Sequence, residues 1–193
     1  MMHRLALLED FIELDIPVNR NLIDLTTLNW HRYNPRKDIN RFGCSITSLD
    51  GLDTGIPDLD SLLEYNKLNQ TDYTEKDFKT PTVHATPFKE FLDSFDVGRS
   101  HFLKLCPGGF FPWHRDSDPI TFRLIYTIES CTFDSLVWLE ENTVIPLQNH
   151  HWYYINTRKK HSLFSFGESV FAVFNVIMNT KTFNLLHHHF KVK

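Results

Sequence analysis

Between residue 98 and about residue 180 the chain is a succession of short apolar runs separated by turn signals, with no helical crossover between them. The runs are Ser100–Cys106, Phe122–Ile128, Ser135–Leu139, Trp152–Asn156 and Ser169–Met178. Pro107-Gly108-Gly109 is a strong turn and Phe166-Gly167-Glu168 a weaker one. Parallel strands need long, usually helical connections, so this pattern predicts an antiparallel sandwich or barrel, the class that includes jelly rolls.

Upstream, residues 1 to about 97 are rich in Asp, Asn, Thr and Pro and carry short periodic pieces. Leu59, Leu62 and Leu63, within 57–65, stand at helical spacing behind Pro57, a residue suited to a first turn. The stretch 87–95 repeats the pattern, with Phe88, Phe91, Leu92 and Phe95 on one face. The fold expected is therefore mainly β, with short N-terminal helices packed outside one sheet. A chain of 193 residues suits one domain. Within it, residues 1–97 would form a helix-containing N-terminal part, 98–180 the core and 181–193 a tail. The three consecutive histidines of that tail, His187, His188 and His189, are read as part of a solvated terminus. The polar stretch 40–51, with Arg41, is read as a strand edge and turn, and a lid or substrate-binding loop is the alternative.

An apolar fraction of 41% with 17 Phe is enough for a real core. The formal net charge of −4 lacks the basic excess usual for nucleic-acid binders, so no nucleic-acid partner is expected. Three cysteines, an odd number, imply no disulfide framework and favour a reducing compartment. The opening residues carry acids within their apolar stretch, unlike a signal peptide, and no run reaches the roughly 20 apolar residues that cross a bilayer. A soluble, cytoplasmic protein without membrane association is the expectation; the oligomeric state is not legible.

The chemistry concentrates in 107–118, where His114 and Asp116 are two residues apart. On extended backbone, residues i and i+2 project from one face, which sends an imidazole and a carboxylate into the same space. His161, at the start of a late apolar segment, is the candidate third ligand, because a later jelly-roll strand can return beside the first. Two His and one carboxylate on one side of a metal leave positions open, as non-heme Fe(II) oxygenases require. The same three residues also suit Zn(II) and a hydrolase, which would need a placed acid or base; Glu129, Glu140 and Glu141 lie beyond or between strands. A jelly roll that binds a ligand without catalysis is the other alternative.

The segment from Val97 through Pro107-Gly-Gly-Phe-Phe-Pro-Trp-His114-Arg-Asp116 resembles the stretch leading into the iron site of 2-oxoglutarate/Fe(II) oxygenases, in particular the aspartyl/asparaginyl β-hydroxylases and prolyl-hydroxylase-like proteins. The resemblance covers roughly residues 97–178. It implies a double-stranded β-helix (a cupin-like jelly roll) and Fe(II) held by His114, Asp116 and His161. It also implies 2-oxoglutarate and O2 as co-substrates, and release of succinate and CO2. The substrate would be a free amino acid or an Asp, Asn or Pro side chain in a peptide or protein. One departure stands out. The family often has Arg or Lys about ten residues after the distal His, but here that position is Phe171 and 162–180 contains no basic residue. Arg123, nine residues after His114, is the substitute candidate for the far carboxylate of 2-oxoglutarate, since a planar guanidinium can bind a carboxylate with two hydrogen bonds. Asn175 is a candidate for an added hydrogen bond, Arg99 for a substrate contact, and Phe110, Phe111 and Trp113 for excluding water.

Overall fold

The structure, a computed structural model, describes residues 9–33, 39–116, 121–131, 135–139 (backbone) and 143–189. Its strands are β1 (Phe11–Leu14), β2 (His31–Arg32), β3 (Arg41–Ser45), β4 (Thr47–Ser48), β5 (Thr80–Pro81), β6 (Val97–Leu105) and β7 (Phe110–His114), then β8 (Thr121–Glu129), β9 (Ser135–Leu139), β10 (Thr143–Ile145), β11 (Trp152–Ile155), β12 (His161–Ser165) and β13 (Ser169–Ile177). Among the described residues three α-helices accompany them: α1 (Leu62–Asn69), α2 (Lys89–Ser94) and α3 (Thr180–His188).

The eight strands β6 to β13 divide equally between two facing sheets, changing sheet at each step except at the β9–β10 pair. In the larger, the order β11-β8-β13-β6 is extended by β1 at one edge and by β3 and β2 at the other; the smaller runs β10-β9-β12-β7. Neighbours in both sheets pair antiparallel. This is the double-stranded β-helix, a jelly roll of the cupin type. The residues before 98 therefore do more than cover the core, because three of their strands complete the larger sheet. Arg41 lies on β3, so the strand reading of 40–51 holds over the lid.

The larger sheet is apolar on both faces. Its outer face, with Phe102, Leu124, Tyr126, Trp152 and Phe174, forms one core with Phe88, Phe91 and Phe95. The helix expected over 87–95 is thus present as a 3-10 turn (Val83–Phe88) leading into α2, and it packs where expected, outside a sheet. The inner face carries Leu103, Leu105, Phe171, Val173, Tyr153 and Ile155 and closes on Leu163 of the smaller sheet. The period-2 alternation along β8 separates these layers. Phe122, Leu124 and Tyr126 point outward, while Arg123 and Ile125 point between the sheets.

Two expectations need correction. The helix predicted over 57–65 begins only at Leu62, leaving Leu59 buried in the turn before it and Leu63 82% exposed. Tertiary partners take the preceding residues out of the helix. The buried Asp58 carboxylate accepts from Ser45 Oγ at 2.9 Å, and the Asp60 carbonyl accepts from Arg99 Nη2 at 3.1 Å. The tail is not frayed through residue 189 either. Asn179 caps α3 by accepting from the Thr182 N–H at 2.8 Å, Thr182 and Leu186 are buried, and Phe183 stacks on Phe122 at 6.2 Å. His189 Nδ1 donates to the Asp15 carbonyl at 2.7 Å, and the Asp15 N–H returns a bond to the His189 carbonyl. Among the described residues no helix is long and apolar enough to cross a membrane.

Candidate metal centre and its cavity

The turn at 107–109 delivers the site's first strand. Gly108 has φ +77°, a region open to glycine at little cost, and a Cβ on Gly109 would lie 2.4 Å from the Asn40 carbonyl oxygen. Gly109 N–H donates to the Cys106 carbonyl at 2.7 Å, closing the turn. Gly108 N–H then donates to the Ser165 carbonyl, and Ser165 N–H to the Gly109 carbonyl, both at 2.9 Å. β7 is thereby registered on β12 from its first residue, and at the other end of the pair His114 stands opposite His161. A register irregularity between His161 and Leu163 lets the two imidazoles share one space; their ring centroids are 4.2 Å apart.

Asp116 lies just beyond the end of β7, held by its N–H donating to the Thr157 carbonyl at 3.1 Å. Its carboxylate sits 3.7 Å from His114 Nε2 through Oδ1 and 3.0 Å from Arg123 Nε through Oδ2. One candidate donor atom from each of His114, Asp116 and His161 falls within 4.8 Å of the others. The structure thus brings His161 beside His114 and Asp116, which lie more than forty residues earlier in the chain.

The histidine tautomers follow from their partners. His114 Nδ1 is 2.7 Å from the Pro112 carbonyl and His161 Nδ1 is 3.1 Å from the Lys159 carbonyl. A carbonyl can only accept, so each Nδ1 carries a proton, and in the neutral ring this leaves the metal-binding lone pair on Nε2. Burial, then the neighbouring His114, pulls the His161 pKa below its ordinary value, which favours the same neutral form.

The cluster opens onto a cavity of about 130 Å³ between the sheets. Arg123 and Ile125 line it from β8, Phe111 from β7 and Leu163 from β12. Three polar residues that the sequence reading passed over also reach it: Tyr33, His101 and Thr157. Only inward parity on β6 could have flagged His101, and nothing local marks the other two. Arg123 Nη1 is buried and has no hydrogen-bond partner among the described residues. A buried guanidinium nitrogen without an acceptor is costly, and this one belongs to a residue that lines the cavity.

Other candidates fall elsewhere. Asn175 stands opposite Arg123 in register, but its amide donates to Glu75 and it does not line the cavity. Arg99 is buried against Glu75 and the Asp60 carbonyl. Of the three aromatics, Phe111 lines the cavity, with the Arg41 guanidinium 4.1 Å from its ring centre; Phe110 and Trp113 are exposed. Glu129 is exposed at the end of β8, and Glu140 and Glu141 lie outside the described residues.

His101 is buried beside Arg99 and Arg123, and burial, followed by those two cations, holds its pKa well below the ordinary value. Its folded pKa is thus lower than its unfolded one. The stability linked to it is complete above the unfolded value, near pH 6.5, and is lost as pH falls toward the folded value, by at most about 1.4 kcal/mol per pH unit. Asp58, pushed up to about 6 by burial, works in the opposite direction. Replacing His101 with Gln isolates the first effect. Urea unfolding should show the wild type losing roughly 1–2 kcal/mol more than the variant between about pH 7 and about pH 5. Parallel pH profiles would show that His101 is not held neutral.

A double-stranded β-helix with two imidazoles and a carboxylate at its mouth defines a candidate mononuclear metal centre. No protein-family model matches the sequence, and a search of curated proteins found no match. Among solved structures, an oxidoreductase of the 2OG-Fe(II) oxygenase family from Burkholderia pseudomallei is similar over 92% of this chain and 90% of its own, at 12% identity and TM-score 0.50. At that identity the likeness shows the shared fold. Partial similarities include the Escherichia coli ribosomal oxygenase YcfD in complex with cobalt and 2-oxoglutarate (17% identity, 50% of this chain and 28% of that one, TM-score 0.37). Another is an RmlC-like cupin protein from Desulfovibrio desulfuricans (13% identity, 40% and 70%, TM-score 0.33).

Proposed function

We propose that this chain is a 2-oxoglutarate- and Fe(II)-dependent oxygenase. The observation that carries the reading is the convergence of two imidazoles and one carboxylate, in a single cavity, beside a buried Arg123 Nη1 that has no acceptor among the described residues. The donor set suits Fe(II), since a mixed imidazole and carboxylate face leaves positions for a chelating co-substrate. When bound, Fe(II) with 2-oxoglutarate and O2 would supply oxidation of a C–H bond, with succinate and CO2 as co-products.

The chain's own residues do the rest. His114 and His161 offer Nε2 because backbone carbonyls hold their Nδ1 protons. Arg123 has two tasks: its Nε orients Asp116, and its Nη1 offers the far carboxylate of the co-substrate a charge-assisted hydrogen bond. Phe111, Ile125 and Leu163 give the cavity apolar walls that limit water. The substrate class that follows from the sequence resemblance is a free amino acid or an Asp, Asn or Pro side chain in a peptide. A zinc hydrolase fits less well, because among the described cavity residues Asp116 is the sole carboxylate, and it already faces Arg123 Nε, leaving Nη1 without a task.

Protein purified anaerobically should retain iron, and with Fe(II), ascorbate and 2-oxoglutarate it should form succinate slowly even before its substrate is known. Zinc in place of iron would favour the hydrolase. Failure to bind 2-oxoglutarate at all would leave a ligand-binding jelly roll. Arg123→Ala should raise the 2-oxoglutarate concentration needed for half-maximal succinate formation about 10–100-fold, the worth of one charge-assisted hydrogen bond. An unchanged requirement would remove Arg123 from that task.

A further inference from the structure

On the other face of the same strands lies a second convergence of metal-binding groups. Cys44 of β3 stands opposite Phe102, and both side chains belong to the outer-face core, whereas the next residue, Ser45, stands opposite the cavity-lining His101. Around Cys44 gather Asp53 from the loop after β4, His84 from the 3-10 turn before α2, and His31 from β2. Asp53 Oδ2 is 3.4 Å from Cys44 Sγ and 3.1 Å from His84 Nε2, and Asp53 Oδ1 is 3.6 Å from His31 Nε2. Donor atoms of Cys44, Asp53 and His84 all lie within 4.8 Å of one another.

Ligands about 2.0–2.3 Å from a tetrahedral Zn(II) stand roughly 3.3–3.8 Å from one another. The separations around Asp53 are close to those edges. The Asp53 side chain is nine-tenths buried, and its Oδ1 receives no hydrogen bond among the described residues. A buried carboxylate oxygen facing imidazoles and a thiol, with no donor of its own, is an unsatisfied group that a cation would satisfy.

We infer that Cys44, Asp53 and His84, with His31 as fourth ligand, form a structural zinc-type site independent of the cavity between the sheets. His31 would exchange its present contact with the Asn29 amide, 3.0 Å away, for the metal. The Cys44 thiol would release one proton on binding, leaving a thiolate on the ion. Such a site has a clear mechanical role. Its ligands come from four segments separated along the chain, and one ion would clamp the β2–β3 edge, the loop at 53 and the turn at 84 together. A thiolate also sets the site's preference toward softer divalent metals than the His/Asp/His cluster takes.

The test uses the full chain carrying His114→Ala and His161→Ala, stripped of metal and titrated with Co(II). We expect one Co(II) per chain, the thiolate-to-cobalt charge-transfer absorption that no imidazole–carboxylate site can produce, and one proton released per ion. Zn(II) should displace the cobalt and raise the melting temperature. His84→Ala should weaken binding by more than roughly 100-fold, beyond the 10–100-fold typical of removing an outer partner. Cys44→Ser, or Cys44→Ala if the serine variant folds poorly, should abolish the charge-transfer band. The inference is overturned if the Cys44-intact chain shows no thiolate band, or if the band survives unchanged without Cys44. Because both imidazoles of the cavity cluster are absent throughout, failure here says nothing against the oxygenase reading.

Discussion

Replacing His114 or His161 with alanine is expected to cut succinate formation on the order of 1000-fold while leaving the chain folded. A lost metal ligand forfeits several kcal/mol of transition-state stabilisation, and each 1.36 kcal/mol is a factor of ten. The fold should survive because His114 sits at the end of an edge strand with its side chain 36% exposed, and His161 is only part-buried. Asp116 differs. Its carboxylate is the counter-ion of Arg123, so Asp116→Ala leaves a largely buried guanidinium unpaired and should cost stability as well as metal. Asp116→Asn keeps an acceptor for Arg123 Nε and separates the two losses. Iron content after dialysis, succinate formation and a thermal melt measured on each variant make the comparison. Full turnover with any of the three ligands missing would rule out the proposed centre.

The largest effect on stability should come from Phe88→Ala. Phe88 is fully buried where the N-terminal turn meets the outer face of the larger sheet, with ring centres of Phe174 at 5.0 Å, Tyr126 at 5.8 Å, Phe102 at 5.9 Å and Trp152 at 6.0 Å. Four aromatic neighbours on a rigid sheet cannot collapse into the space left by a phenyl ring. The cost should therefore fall near the usual range for Phe→Ala, about 3–5 kcal/mol, out of a total stability of roughly 5–15 kcal/mol. For a chain of this length the melting temperature should drop by roughly 10–15 °C. Circular dichroism melts of the two proteins decide it. A drop of a degree or two would mean that this segment is not seated on the sheet as described. The cavity lies on the opposite face of the sheet, so succinate formation at low temperature should change little.

The sequence was most informative where a local rule has a tertiary consequence. Apolar runs between turn signals in the later half marked strands that the structure forms, β8 among them. Pro107-Gly108-Gly109 marked the turn that sets β7 against β12. His-x-Asp spacing placed two donors on one side of an extended segment, and the phenylalanines at 88, 91 and 95 announced a helix with one buried face. In each case the backbone geometry of a few neighbouring residues is sufficient.

The misses share the opposite cause. That β1 and β3 join the larger sheet, with β2 following on β3, depends on pairing with strands more than fifty residues away, which no short-range pattern encodes. The late start of α1 reflects Ser45 and Arg99 drawing 58–60 into other hydrogen bonds. The ordered tail reflects a docking surface made by Phe122 and Asp15. Tyr33, His101 and Thr157 reach the cavity only because three unrelated segments meet there. The same holds for the grouping of Cys44, Asp53, His84 and His31. Sequence alone determined which residues of a strand share a side, since that follows from backbone periodicity. Which strands lie side by side, and so which distant side chains share a space, was decided only by sheet pairing, an energy summed over contacts between remote parts of the chain.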